Sequence, residues 1–209
     1  MNKQEKKILL KNEFNFISDD TILEKLELWE KYFINYNSHT NLISKNDIEV
    51  IFEKHVFDSL SILKWKDFFS KKTILDVGAG GGFPSVILAI YFSDKEIIAN
   101  DSRIKKINFI KKIKEELNLK NLNILYSRIE DVEPLGVDLI VSRAVGKMID
   151  IFDISKKHLN KNGSFLIYKA KTVDDEISEF KKKYKNANFK IIPYKLPLKE
   201  NFKRNLIVL

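Results

Sequence analysis

Residues 74–84 read Ile-Leu-Asp-Val-Gly-Ala-Gly-Gly-Gly-Phe-Pro. The types and spacing of Asp76, Gly78, Gly80 and Gly82 are those of a ligand-binding turn. A glycine lacks Cβ, so its backbone can approach a ligand closely and can adopt left-handed dihedral angles. Pro84 suits the first turn of a following helix, where its missing N–H costs little. A strand, a glycine-rich turn and a helix in that order place the loop where open α/β sheets bind their ligands. A dinucleotide fingerprint needs glycines at its first, third and sixth positions; counted from Gly78, the sixth is Phe83, which disfavours a nicotinamide dehydrogenase. Two roles are open to Asp76: holding a ligand ammonium group, directly or through water, or bracing the loop through backbone N–H groups. The next apolar run closes on Asp101, roughly twenty residues further on, where a carboxylate can accept two ribose hydroxyls. Alone, Asp101 would read as a solvated loop residue. Together with the loop it points to a nucleoside ligand.

The elements that must position these residues follow from hydrophobic period. Ile22, Leu26, Trp29, Phe33 and Tyr36 recur at helical spacing, with Ser18 to Asp20 offering an N-cap. A second helical run is predicted over about 48–69, with residues 36–44 as a polar loop between. From Thr73 short runs rich in Ile, Leu and Val alternate with amphipathic segments. Strands are predicted over 73–77, 96–100, 122–126, 137–142, 164–168, 189–193 and 205–209, and helices over 84–92, 103–117, 147–159 and 174–184. Residues 129–136 leave room for one helical turn. The alternation predicts a parallel, doubly wound sheet. No helix separates the last two strands, so they form a hairpin that brings an antiparallel strand into the sheet.

Composition bounds the rest. The chain has 209 residues, 44% of them hydrophobic, enough for one buried core. It has no cysteine, which removes disulfides and thiolate metal sites. The three histidines are too few for a convincing metal cluster, so no metal is expected. The N-terminus has lysines but no long apolar region, and no run is long enough to span a bilayer. A cytoplasmic protein without membrane contact, acting as a monomer, is the expectation. Net charge is +8, from 37 basic and 29 acidic residues, which favours a polyanionic partner weakly.

The pattern Asp-x-Gly-x-Gly-x-Gly is common among methyltransferases, where it accommodates the amino-acid half of S-adenosyl-L-methionine. Further segments resemble the RsmG (GidB) family: Tyr36-Asn37 with Asn41-Leu42-Ile43-Ser44, His55-Val56-Phe57-Asp58-Ser59-Leu60, the glycine loop running into Phe83-Pro84, Asp101-Ser102 followed by Lys105-Lys106, Ser127-Arg128-Ile129-Glu130, and Ser142-Arg143-Ala144. Lys169 and Arg204 fall where that family has basic residues near the last strands. Their order and spacing together carry the resemblance, from about Tyr36 to the C-terminus. Two departures are small: Pro84-Ser85 stands where the family has Pro-Gly, and Lys169-Ala170 where it has Lys-Gly.

The resemblance implies an α/β, Rossmann-like, seven-stranded class I methyltransferase sheet (residues 71–209) with an N-terminal helical extension (1–70) packed on it as one compact unit. It implies S-adenosyl-L-methionine as cofactor and, as substrate, N7 of a guanine in 16S ribosomal RNA of the small subunit. Gly78, Phe83, Ile129, Glu130 and Arg143 are the implied cofactor contacts, joined by Asp76, Gly80, Gly82 and Asp101 from the loop and acid pattern. Guanine N7 carries an in-plane lone pair and no proton, so no general base is expected, and Arg143 is a positioning residue. Arg143 could bind the cofactor, steer the guanine or contact phosphate; a structural salt bridge is its plainer role, and the resemblance favours the functional one. Asn37, Asn41, His55, Lys169 and Arg204 are the RNA-side candidates, with Arg103, Lys105 and Lys106 as further phosphate contacts. Against these stand plainer roles: a helix-stabilising His55–Asp58 pair, turn-forming asparagines and a solvated lysine face. The rival functions are a methyltransferase acting on another RNA, a protein or a small molecule, and a non-catalytic RNA-binding protein.

Overall fold

The computed structural model describes residues 1–14, 19–40, 42–143, 146–170, 173–198 and 202–209. Seven strands form one sheet: β1 Thr73–Val77, β2 Glu96–Asp101, β3 Leu122–Tyr126, β4 Val137–Arg143, β5 Leu159–Lys169, β6 Lys190–Lys195 and β7 Lys203–Val208. Their order is β3-β2-β1-β4-β5-β7-β6. The first five run parallel, and β7 lies antiparallel between β5 and β6. β1 is central and apolar because both its faces are covered, and Ile74, Leu75 and Asp76 are all fully buried.

One face carries α5 (Ser85–Tyr91) and α6 (Ile104–Glu116), overlaid by α1 (Lys3–Phe14) and α2 (Asp20–Thr40). α2 points Leu23, Leu26, Trp29 and Phe33 inward, so α5 lies between it and the sheet and is buried on all sides. The other face carries α7 (Met148–Ser155) and α8 (Asp174–Lys183), whose Ile151 and Phe180 pack with Ile140 and Phe165 of the sheet. No helix among the described residues is long and apolar enough to cross a membrane.

Several predicted boundaries move. Ser18 lies outside the described residues, and the cap of α2 is Asp19, whose Oδ1 accepts the N–H of Ile22 at 2.8 Å. α2 runs on to Thr40 through most of the predicted loop. The hydroxyls of Ser38 and Thr40 bond back to the carbonyls of Asn35 and Tyr36, and a short α3 (Lys45–Ile48) follows. The predicted helix over 48–69 is instead a π-turn at Phe52–Val56, α4 (Phe57–Leu60), and two 3₁₀ turns at Ser61–Lys64 and Lys66–Ser70. Ser59 and Ser61 donate to the carbonyls of His55 and Phe57, which bends a helix, and Trp65 turns extended. β5 starts five residues early because Val137 pairs with Leu159 across a register shift.

Candidate functional site

Strand order reverses between β1 and β4, and a cavity of ≈ 400 Å³ opens above the carboxyl ends of β1, β2 and β3. Gly78, Asp101, Lys106, Ile129 and Glu130 line it, with Gly146 and two α7 residues, Ile151 and Ile154. Its floor is held by backbone. The N–H groups of Gly78 and Ala79 donate to the carbonyl of Asn100 at 2.9 and 2.8 Å. The side-chain amide of Asn100 donates to the carbonyls of Leu125 and Ser127 at 3.1 and 2.9 Å, fixing the turn that carries Ile129 and Glu130. Asp101 accepts the N–H of Gly80 at 3.0 Å on one oxygen and that of Arg103 at 2.9 Å on the other. These bonds orient the carboxylate and leave lone pairs for a ligand. Lys106 Nζ stands 4.0 Å from it.

Gly80 and Gly82 of the loop do different work. Gly80 has φ +58°, and an added Cβ would meet Lys106 Nζ at 3.5 Å and the Gly78 carbonyl at 3.8 Å, both ordinary contacts. Gly82, at φ +88°, has no room: a Cβ would collide with Cγ2 of Val86. Gly82 thus serves the packing of α5 beneath the loop. Asp76 lies behind the same loop, where its Oδ2 accepts the N–H of Ser85 at 3.0 Å and Oδ1 has no partner among the described residues. The observed bond is the bracing one, and Asp76 does not line the cavity. Burial pushes its carboxyl up to about 7.

Phe83 is buried outside the cavity. Its ring stacks on His55 (4.8 Å, 26° between planes), lies 4.6 Å from the Arg143 guanidinium carbon, and meets Trp29 edge-on at 5.6 Å. From there a polar cluster extends away from the loop, centred on Asp58, which is 2% exposed. Arg143 Nη1 donates to Asp58 Oδ2 at 3.1 Å, Arg204 donates to the same oxygen at 3.0 Å, and the Tyr194 hydroxyl donates to Oδ1 at 2.5 Å. Arg143 Nη2 lies 2.9 Å from His55 Nδ1. Arginine can only donate, so Nδ1 is the acceptor and His55 is neutral with its proton on Nε2. Burial, then the charge of Arg143, pushes His55 down to about 3. The Tyr168 hydroxyl donates to the carbonyl of Ser59 at 2.9 Å, pinning α4 to β5.

The structure therefore gathers Gly78, Asp101, Ile129 and Glu130 at the cavity, and His55, Arg143 and Arg204 around Asp58, with Phe83 between. Lys169 belongs to neither: its Nζ lies 2.7 Å from Glu176 and donates to the carbonyl of Gly146 at 2.9 Å. Asn37 spans a turn, donating to the carbonyl of Ile43 and accepting its N–H. Asn41 lies outside the described residues. Sequence reasoning missed Tyr194, which in a strand reads only as a β-former, and the Asn100 clamp. It also missed buried His158, whose Nε2 meets the carbonyl of Ile129 at 3.0 Å behind the cavity wall.

The sheet order is that of the class I methyltransferase fold, and its family match makes this chain an S-adenosylmethionine-dependent methyltransferase. The likeness to an S-adenosylmethionine-dependent methyltransferase from Aquifex aeolicus shows the same fold: TM-score 0.56 and 18% identity, covering 83% of this chain and 97% of that one. The family model described as rRNA small subunit methyltransferase G (GidB) matches residues 22–207. Relatives bearing the name ribosomal RNA small subunit methyltransferase G include one from Fusobacterium nucleatum, 35% identical over 86% of this chain and 79% of the relative. Another, from Bacillus subtilis, is 32% identical over 90% of this chain and 81% of the relative. The chain belongs to this rRNA small subunit methyltransferase G family.

Proposed function

We propose that the protein methylates N7 of a guanine in 16S ribosomal RNA (guanine 527 in the common numbering), acting on the RNA or on the small subunit that contains it. The observation that carries the cofactor half is Asp101, a carboxylate aimed by Gly80 and Arg103 into the cavity at the strand-order reversal. The donor set fits S-adenosyl-L-methionine. Asp101 takes the ribose hydroxyls, Gly78 and Gly80 present backbone to the amino-acid half, and Ile129 and Ile151 supply apolar walls for the base. Glu130 adds a carboxylate acceptor at the rim. Asp76, Gly82 and Phe83 act from below by holding the loop in shape.

The cofactor supplies an electrophilic methyl group on a sulfonium. The protein's own task is to align the guanine and exclude water, since N7 has no proton to lose. Arg143 serves this as a positioning residue at the end of β4, its guanidinium fixed by Asp58, His55 and the Phe83 ring. The test is mass spectrometry of 16S rRNA from a strain lacking the protein, paired with methyl transfer by the purified enzyme. One 7-methylguanine absent from the deletion strain and restored by the enzyme is expected; an unchanged modification pattern would refute the assignment.

A further inference from the structure

β6 is antiparallel to β7, and β7 to β5, so β6 runs in the direction of β1. Its carboxyl end at Lys195 and the start of β7 at Lys203 thus lie on the same edge of the sheet as the cofactor cavity. That end of the hairpin is cationic on both faces. Lys195 pairs directly with Lys203, and Tyr194 with Arg204. Side chains alternate along a strand, so the two lysines share one face and Arg204 occupies the other. Like charges opposite each other weaken a hairpin, and neither lysine has an ion-pair partner among the described residues. A cleft of ≈ 390 Å³ is lined by Tyr194, Lys195, Lys203 and Arg204, and Phe202 beside it is 44% exposed. On its buried side Arg204 shares Asp58 with Arg143. Two guanidinium groups share that one carboxylate.

We propose that this end of the β6–β7 hairpin is a phosphate-binding edge for the RNA substrate, formed by Lys195, Lys203 and Arg204, and tied to Arg143 through Asp58. The proposal rests on the RNA methyltransferase reading and adds to it the surface that holds the strand outside the cavity. β4 and β7 are two strands apart, about 10 Å, so an RNA whose guanine reaches Arg143 has neighbouring phosphates within reach of the hairpin. Phe202 offers such a strand an exposed ring for base stacking.

The experiment uses the full chain with Lys195→Ala and Lys203→Ala combined, and a control with Lys182→Ala and Lys185→Ala, which removes equal charge near the other end of the hairpin. RNA affinity is measured against salt with a 16S rRNA fragment as probe, alongside S-adenosylhomocysteine affinity and Tm. Each true phosphate contact contributes about 0.7 to 0.9 to the slope of log affinity against log salt. The hairpin double variant should therefore flatten the slope by about 1.5, keep cofactor affinity and lose no Tm, while the control keeps the wild-type slope. A combined Lys195→Arg and Lys203→Arg variant should restore binding. Lysines on an edge strand can also serve to block strand addition; that role predicts an unchanged slope, which would overturn the proposal. Equal flattening in the control, or binding to an acidic protein with no change toward RNA, would overturn it too. A wild type that methylates RNA while the double variant binds it normally refutes the hairpin edge alone; a wild type that never methylates RNA refutes the functional reading beneath it.

Discussion

On the cavity side, backbone does the holding: N–H groups of Gly78, Ala79 and Gly80 fold onto Asn100 and Asp101. Beyond Phe83, side chains do the holding: Asp58 gathers Arg143, Arg204 and Tyr194 from three different strands under α4. A backbone cradle is built from neighbours in sequence and gives close approach to a small ligand. A shared carboxylate is built from distant residues and fixes two guanidinium groups beneath α4. Breaking the first should cost affinity, and breaking the second should cost stability.

The largest effect is expected from Asp58→Ala. It leaves two partly or wholly buried guanidinium groups without their acceptor, which costs about 3 kcal/mol or more. Urea unfolding checks this, and Asp58→Asn, which keeps one acceptor oxygen, should recover part of the loss. A value within error of wild type would mean that Asp58 is not the fastener of the helical cover.

Next in size is the contrast between two glycines of the loop. Gly82→Ala should destabilise by about 1–3 kcal/mol, because its Cβ must displace Val86 in a packed core. Gly80→Ala has space for its Cβ and should cost only the strain of its positive φ, about 1 kcal/mol. Thermal unfolding orders them; equal losses would erase the distinction between a glycine packed against α5 and one with space for a side chain.

The two regions also respond to pH with opposite sign. His55 is held near 3 in the fold against 6.5 ordinarily, so its contribution is present above pH 6.5 and is lost as pH falls. Asp76 is raised to about 7 from 3.8, so its contribution is present below about pH 4 and is lost as pH rises through 7. His55→Asn should flatten the acid limb of Tm against pH between 6.5 and 4.5, and Asp76→Asn the limb between 5 and 8. At neutral pH Asp76→Asn should shift Tm least of the substitutions considered, because most of the Asp76 contribution is already lost there. Parallel profiles for wild type and both variants would contradict the burial argument.

This contrast also explains what could be read from residue order. The cavity was legible because the glycine loop and Asp101 close two successive strands, and local pattern is enough to bring Gly78 and Asp101 to it. The hairpin of β6 and β7 was legible for the same reason: no helical segment separates them. The Asp58 cluster was not, since its partners lie 85 to 146 residues away and meet only through strand order. Arg143 and Arg204 were thus assigned to different ligands, whereas the fold places both on one carboxylate. The broken helix over 48–69 was missed because serine hydroxyls competing for backbone carbonyls leave its apolar period intact.

Calorimetry of S-adenosylmethionine and S-adenosylhomocysteine on Asp101→Ala and Asp58→Asn, each shown folded by circular dichroism, tests the division most directly. Both ligands carry the same ribose, and hydrogen bonds to a charged acceptor are worth enough that Asp101→Ala should weaken both alike by at least about tenfold. Asp58→Asn should bind both at close to wild-type affinity despite its lower stability. Unchanged binding in Asp101→Ala, weakening of only one ligand, or a loss confined to Asp58→Asn would contradict the placement of the cofactor in this cavity.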